Sequence, residues 1–288
     1  MLLDGRTVAN HILANLLIRV DELEEKYDIQ PHLAVMRVGE DPAITSYINQ
    51  KAKMAKEIGA VLSIYNFPEN VKQDELKKSI DFLQSQTGES AIHGLILQLP
   101  VPKHIDYEAL ILDIHPDKDV DGFRPNSPFT IPIASAILKL LEIPMIKESI
   151  TTGDSFNEWL ISKRIVVMGK GKTGGQPVID LLEEHGASVS VIDSKTQNVS
   201  EITQNADIIV TAVGRPNTLT KDMIKKDSIL IGIGMGMDKD GKFIGDYNEQ
   251  DIKDKASWYT PIPGGVGPVN VACLMENLTL SAESTIKN

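Results

Sequence analysis

The sequence predicts an α/β protein built as two domains in tandem. Three observations carry that reading: strand-like and helical segments alternate in both halves, a Pro-, Asp- and His-rich stretch at 114–132 interrupts them, and a glycine-rich turn follows a short apolar run in the second half. Such alternation implies crossover connections and mostly parallel sheets. At 288 residues the chain is long for one domain and comfortable for two. The boundary is placed between a domain at 1–125 and a domain at 126–268, with a terminal helix at 269–288.

The elements follow from local pattern. Residues 7–27 carry Val8, Ile12, Leu16 and Leu23 at helical spacing. A strand is expected at 32–38, a helix at 42–58, a strand at 61–67 and a helix at 74–86. A third strand, 92–98, runs into Leu99 and Pro100. The second series opens with a buried strand at 165–168, then the glycine turn and a helix ending near His185. Further strands are expected at 187–192, 208–213 and 228–233, and a last one at 257–260 enters a Pro/Gly loop at 261–268. The apolar segment 269–282 reads as a helix, 151–155 as an exposed loop, and 146–162 as an insertion without an assigned role.

Composition narrows the class. A formal charge of −11 argues against nucleic acid or an anionic membrane as the main partner, because both reward basic surfaces. It leaves room for small anionic ligands held by a helix N-terminus. The single cysteine, Cys273, rules out an internal disulfide framework and suits a reducing compartment; its apolar neighbours read as core. No His/Cys cluster has zinc-ligand spacing, so no metal is expected. The first residues lack a basic stretch followed by an apolar run, and no apolar segment reaches membrane-spanning length. A soluble cytoplasmic protein is expected.

The glycine turn is the first chemical signal. Gly169, Gly171 and Gly174 match G-x-G-x-x-G after a strand and before a helix. In that setting glycines permit a tight turn and a close approach of backbone to a pyrophosphate. Asp193 ends the next strand about 20 residues on, where a carboxylate would accept hydrogen bonds from ribose hydroxyls. A glycine turn in another α/β domain beside a solvated aspartate is the plainer alternative. A carboxylate there repels a 2′-phosphate, which favours NAD over NADP, while Lys170, Lys172 and Lys195 stand nearby to offset it.

Several motifs, in order along nearly the whole chain, resemble the bifunctional methylenetetrahydrofolate dehydrogenase/methenyltetrahydrofolate cyclohydrolase family. They are Ser46-Tyr47-Ile48-Asn49-Gln50-Lys51, Gly94-Leu95-Ile96-Leu97-Gln98-Leu99-Pro100 and His115-Pro116-Asp117-Lys118-Asp119-Val120-Asp121-Gly122-Phe123. Ala212-Val213-Gly214-Arg215-Pro216 and Thr260-Pro261-Ile262-Pro263-Gly264-Gly265-Val266-Gly267-Pro268 complete the set. The resemblance implies two α/β domains flanking a cleft, the second a Rossmann-like dinucleotide-binding domain, with the terminal helix packing back on the first. It also implies a homodimer, a folate substrate and NAD or NADP as cofactor.

The resemblance carries roles to particular residues. Lys51 matches the catalytic lysine, Tyr47 the tyrosine beside the pterin, Gln98 the glutamine that orients the lysine, and Asp121 the aspartate that holds the pterin N–H groups. Tyr47 and Lys51 are four apart, so a helix puts them on one face. Without the resemblance they read as a half-buried tyrosine and a solvated lysine, Gln98 as a structural amide, and Asp117, Asp119 and Asp121 as an acidic loop or weak cation site. Gly169, Lys170, Gly171, Gly174, Asp193, Gly214 and Pro216 fall to the cofactor, and Pro263, Gly264, Gly265 and Gly267 to a loop shaping the cleft. Asp246 also matches a family aspartate whose role could be structural.

Departures from the family pattern are local. Lys170, Gly171 and Gly174 stand where the family has Arg-Ser and a later valine, Asp193-Ser194 where it commonly has His-Ser, and Gly232 and Asn270 where it has aspartate and threonine. The segment after Phe123 is shorter. The implied activity is oxidation of 5,10-methylene-tetrahydrofolate followed by hydrolysis of the methenyl product. A cyclohydrolase without hydride transfer and a non-catalytic folate- or nucleotide-binding paralogue are the alternatives.

Overall fold

The computed structural model describes residues 1–237 and 243–287. Contacts divide the chain into two units, Asn10–Pro132 with Val271–Asn288, and Met1–Ala9 with Ile133–Asn270.

In the first unit a helix α1 (Gly5–Tyr27) precedes β1 (His32–Val38), α2 (Pro42–Glu57), β2 (Val61–Phe67), α3 (Gln73–Gln84), β3 (Gly94–Leu97) and α4 (Tyr107–Asp113). The strands form a parallel sheet of order β2-β1-β3, with Leu33 opposite Gly94 and Met36 opposite Leu97. One sheet face buries Ala34, Met36, Leu95 and Leu97 against Leu76, Ile80 and Leu83 of α3. Those three leucine and isoleucine positions recur at helical spacing, and each side chain withdrawn from water contributes about 1.5–3 kcal/mol. Asp74 and Glu75 in the first turn of α3 suit the positive end of its dipole. Asp106 caps α4 by accepting from the Ala109 N–H at 3.0 Å.

The second unit opens with two helices, α5 (Pro132–Thr152) and α6 (Phe156–Ile161). It continues through β4 (Ile165–Met168), α7 (Gly175–Glu184), β5 (Val189–Ile192), α8 (Val199–Thr203), β6 (Ile208–Thr211) and β7 (Ile229–Gly232). A hairpin of β8 (Met235–Met237) and β9 (Phe243–Gly245), a short α9 (Glu249–Ile252) and β10 (Trp258–Tyr259) follow, and α10 (Val266–Ser284) closes the chain. The five main strands are parallel in the order β10-β7-β6-β4-β5. Strand order therefore reverses around β4, the switch point at whose carboxyl end doubly wound sheets bind ligands.

The two parallel α/β units agree with the fold class expected from sequence. The structural division falls at 132/133, not 125/126, and assigns the first nine residues to the second unit. Leu2 bridges Tyr259 in parallel, and the Leu3 N–H donates to the Tyr259 carbonyl at 2.8 Å, extending that sheet's edge.

The segment 146–162, read from sequence as an insertion, is the end of α5 and all of α6. Thr151 and Thr152 are helical, and only 153–155 form the exposed loop. Ser155 and Glu158 form a capping box at the start of α6, and Trp159 is buried with its Nε1–H on Glu148 at 2.8 Å. Among the described residues no helix is long and apolar enough to cross a membrane.

Candidate active site

In the first unit the candidate site forms where α2 passes the carboxyl end of β3. The helix places Tyr47 and Lys51 on one face, and Gln98 follows the last residue of β3 directly. Lys51 Nζ donates to Gln98 Oε1 at 2.9 Å. Gln98 Nε2 donates in turn to the Leu99 carbonyl at 2.9 Å, which turns the amide oxygen toward the lysine. The ammonium stands 5.0 Å from the centre of the Tyr47 ring, within cation–π range.

Lys51 is only 2 % exposed, an unusual setting for a lysine. Burial pushes its pKa down, and the Asp121 carboxylate works against that shift. Burial pushes the Asp121 pKa up, and Lys51 opposes it. The four expected residues thus lie together: Tyr47, Lys51 and Gln98 by contact, and Asp121 within electrostatic reach. A desolvated amine with a fixed acceptor can be neutral at a lower pH than an exposed lysine, and so can take and return a proton.

Two neighbours were not singled out by sequence as functional. Asp119, 1 % exposed, accepts from the Arg124 N–H at 2.9 Å. The Tyr107 hydroxyl is held protonated by burial and by the Asp121 and Asp119 charges. Both surround the segment that carries Asp121. The Asp-rich motif had marked Asp119 only as part of an acidic loop, and nothing in the pattern marked Tyr107.

The glycine turn lies at the β4 switch point of the second unit. Gly169 has φ +90°, and a Cβ there would fall 2.5 Å from the Ala212 carbonyl oxygen. A Cβ on Gly175 would fall 1.8 Å from the Gly169 oxygen, whereas one on Gly174 would meet only the Ala212 Cβ at 3.7 Å. Close packing of helix on strand therefore belongs to Gly175, one place beyond the third glycine of the expected pattern. A Cβ on Gly171 would meet no protein atom within 4 Å, so that part of the turn is open to a ligand.

Asp193 does follow β5, and Lys170 Nζ pairs with it at 2.8 Å. The Lys195 N–H donates to the same carboxylate at 2.9 Å. The Lys170 ammonium, with that N–H, holds the Asp193 pKa down at about 2. Loop 213–216, with Gly214 and Pro216, is fastened by Asp246, a fully buried carboxylate accepting from the Val213 and Arg215 N–H groups, each at 2.9 Å. Asp246 thus acts on the shape of that loop.

The Pro/Gly loop leaves β10 through Thr260, whose Oγ1 accepts from the Gly232 N–H at 2.8 Å and whose carbonyl accepts from the Tyr247 hydroxyl at 2.7 Å. Pro263 and Gly267 are exposed, Gly265 is buried, and Gly264 has φ +110° with the Arg6 side chain beside it. The departure at Gly232 has a local reason. A Cβ there would lie 2.9 Å from Ile262 and 3.1 Å from the Tyr247 ring, so the place of a side chain is already filled. Nothing in the structure explains Asn270.

The residues fit a dinucleotide: Gly171 leaves its part of the turn open to a phosphate, and α7 begins directly behind the turn. Residues 3–121 match the family described as tetrahydrofolate dehydrogenase/cyclohydrolase, catalytic domain, and residues 154–286 match its NAD(P)-binding domain. The bifunctional protein FolD of Lactococcus lactis subsp. lactis is 37 % identical over 289 residues, covering 98 % of this chain and 96 % of that one. The crystal structure of the bifunctional enzyme FolD from Campylobacter jejuni superposes with a TM-score of 0.90 at 34 % identity, over 99 % of both chains. The Trypanosoma brucei FolD, solved with NADP cofactor and an inhibitor, gives a TM-score of 0.88 at 30 % identity, over 100 % of this chain and 99 % of its own.

Proposed function

The chain belongs to the tetrahydrofolate dehydrogenase/cyclohydrolase family, and from that premise we infer the chemistry of its two units. The enzyme oxidises 5,10-methylene-tetrahydrofolate to the methenyl compound and hydrolyses that product to 10-formyl-tetrahydrofolate. The observation that carries the hydrolytic half is the buried Lys51 amine held by Gln98.

Lys51 is the proton carrier. Water adds to the methenyl carbon as the lysine amine takes a proton from it. The bond from that carbon to the ring nitrogen then breaks, the remaining hydroxyl proton is lost as the formyl C=O forms, and Lys51 returns its proton to the freed nitrogen. One proton is released overall. Gln98 fixes the direction of the amine, Tyr47 lies against the pterin, and Asp121 accepts hydrogen bonds from the pterin amino and ring N–H groups. These placements give orientation, which supplies much of the acceleration in such reactions.

The nicotinamide cofactor, when bound, supplies the hydride acceptor for the oxidation. The turn at Gly169–Gly175, the loop with Gly214 and Pro216, and Asp193 would hold it, and the Pro/Gly loop with Pro263, Gly264, Gly265 and Gly267 is assigned to shaping the site. We assign NAD as the preferred cofactor. The Asp193 carboxylate, ionised far below neutral pH, suits free ribose hydroxyls and repels a 2′-phosphate. Asp193→Asn removes that charge and frees Lys170, so kcat/KM with NADP relative to NAD is expected to rise roughly 10-fold or more. Steady-state rates with each cofactor measure the ratio, and an unchanged or reversed ratio contradicts the assignment. A cytoplasmic homodimer completes the proposal, and light scattering of the purified protein tests the dimer.

A further inference from the structure

Among the described residues no hydrogen bond holds the Asp121 carboxylate, which interacts with Lys51 through charge alone. Its aim therefore depends on the backbone that carries it, and that backbone is fastened from a distant part of the chain. Asn277 of α10, 8 % exposed, donates both protons of its side-chain amide: one to the Val120 carbonyl and one to the Thr130 carbonyl, each at 2.9 Å. These carbonyls lie on the two arms of the loop that contains Asp121. One turn further along α10, the Ser281 hydroxyl sits between the His93 carbonyl at 2.6 Å and the Asp117 carbonyl at 2.7 Å. Within the loop, the Gly122 N–H donates to the Asp119 carbonyl at 2.9 Å, and the Asp119 carboxylate caps Arg124.

We propose that Asn277 is a positioning residue for Asp121, its amide clamping both arms of the loop so that the carboxylate faces the pterin. An amide suits the task because it carries two donors on one nitrogen, and the two carbonyls need one each. The proposal rests on the reading of Asp121 as the carboxylate that holds the pterin.

The test is a double-substitution cycle on the full-length protein, reading KM and kcat for methenyl-tetrahydrofolate hydrolysis. Asn277→Leu is expected to raise KM about 10-fold or more with a smaller change in kcat, because a contact made equally in ground and transition states is lost. In an Asp121→Asn background, the same substitution is expected to add less than about 2-fold, since coupled residues do not act additively. Asn277→Gln keeps both donors on a longer arm and should recover part of the loss. If Asn277→Leu does not fold, Asn277→Ser, which keeps one donor, takes its place in the cycle. NAD affinity in the second unit should be unchanged in each variant.

A fall in kcat at constant KM, matching a lost folded fraction, would overturn the proposal, and so would full additivity with Asp121→Asn. If Asp121→Asn itself leaves KM unchanged, the reading of Asp121 fails. If Asp121→Asn raises KM and Asn277→Leu does not, only the positioning role fails.

Discussion

Replacing Lys51 by methionine is expected to slow hydrolysis of methenyl-tetrahydrofolate by roughly 10²–10⁴-fold, the usual range for losing a positioned acid–base group. Methionine keeps the length and bulk of the side chain in a site where Lys51 is 2 % exposed, so packing should survive. The Gln98 amide oxygen loses its donor, at a cost of about 1–3 kcal/mol if it stays unpaired. Removing a desolvated amine offsets part of that. Oxidation of methylene-tetrahydrofolate should continue, because hydride transfer needs no proton from Lys51, and the methenyl compound should accumulate. Stopped assays that separate methenyl- from 10-formyl-tetrahydrofolate measure both steps, and hydrolysis at the parent rate would remove Lys51 from the mechanism.

The same amine sets the pH dependence. Hydrolysis needs it neutral, so the rate should rise with pH through the Lys51 pKa, which burial places below the ordinary lysine range. Asp121→Asn removes the charge that raises this pKa, so the limb should move to lower pH. A limb that stays in place or moves upward contradicts the pairing. Stability carries the matching sign. Between the folded and unfolded pKa of Lys51 the unfolded chain binds more protons, so this lysine's penalty is present below the folded pKa and is relieved as pH rises toward about 10.4.

Gly175→Ala is expected to have the second large effect, on the other activity. Its Cβ would stand 1.8 Å from the Gly169 oxygen, a backbone atom that moves only if β4 and α7 separate. Overpacking of this kind costs roughly 1–3 kcal/mol or more, which at its upper end corresponds to about 100-fold in dinucleotide affinity. Gly174→Ala should be milder, as its Cβ would make only an ordinary contact at 3.7 Å. Calorimetric titration with NAD distinguishes them, and cyclohydrolase activity should persist in both because Lys51 lies in the other unit. Equal NAD affinity in the Gly175→Ala protein and its parent would contradict the turn geometry.

The parallel strands and the helices α1, α2, α3, α7 and α10 were legible because their apolar residues repeat with clear periods, whereas α4, α5, α6, α8 and α9 were not expected. The segment 146–162 was not legible, although Ser155 and Glu158 spell a capping box, and neither was the rest of α5, which continues through Pro144. At the candidate site, a four-residue spacing joined Tyr47 to Lys51, but only the motif resemblance linked them to Gln98, 47 residues away from the lysine. The glycine pattern found the turn and missed its tightest contact, since its third position falls on Gly174 while the carbonyl of Gly169 crowds the next glycine, Gly175. Asn277 was silent in the sequence. Its partner Val120 is 157 residues distant, and an asparagine inside an apolar helical stretch carries no sign of what it reaches.

The most direct test is to mix the purified enzyme with 5,10-methylene-tetrahydrofolate and NAD, and separately NADP, and to follow reduced-cofactor absorbance together with the methenyl and 10-formyl products. The expected result is cofactor reduction, faster with NAD, with 10-formyl-tetrahydrofolate as the end product. Hydrolysis of added methenyl compound without reduction of either cofactor would leave a cyclohydrolase alone, and neither reaction would leave a binding protein; both results contradict a two-activity enzyme.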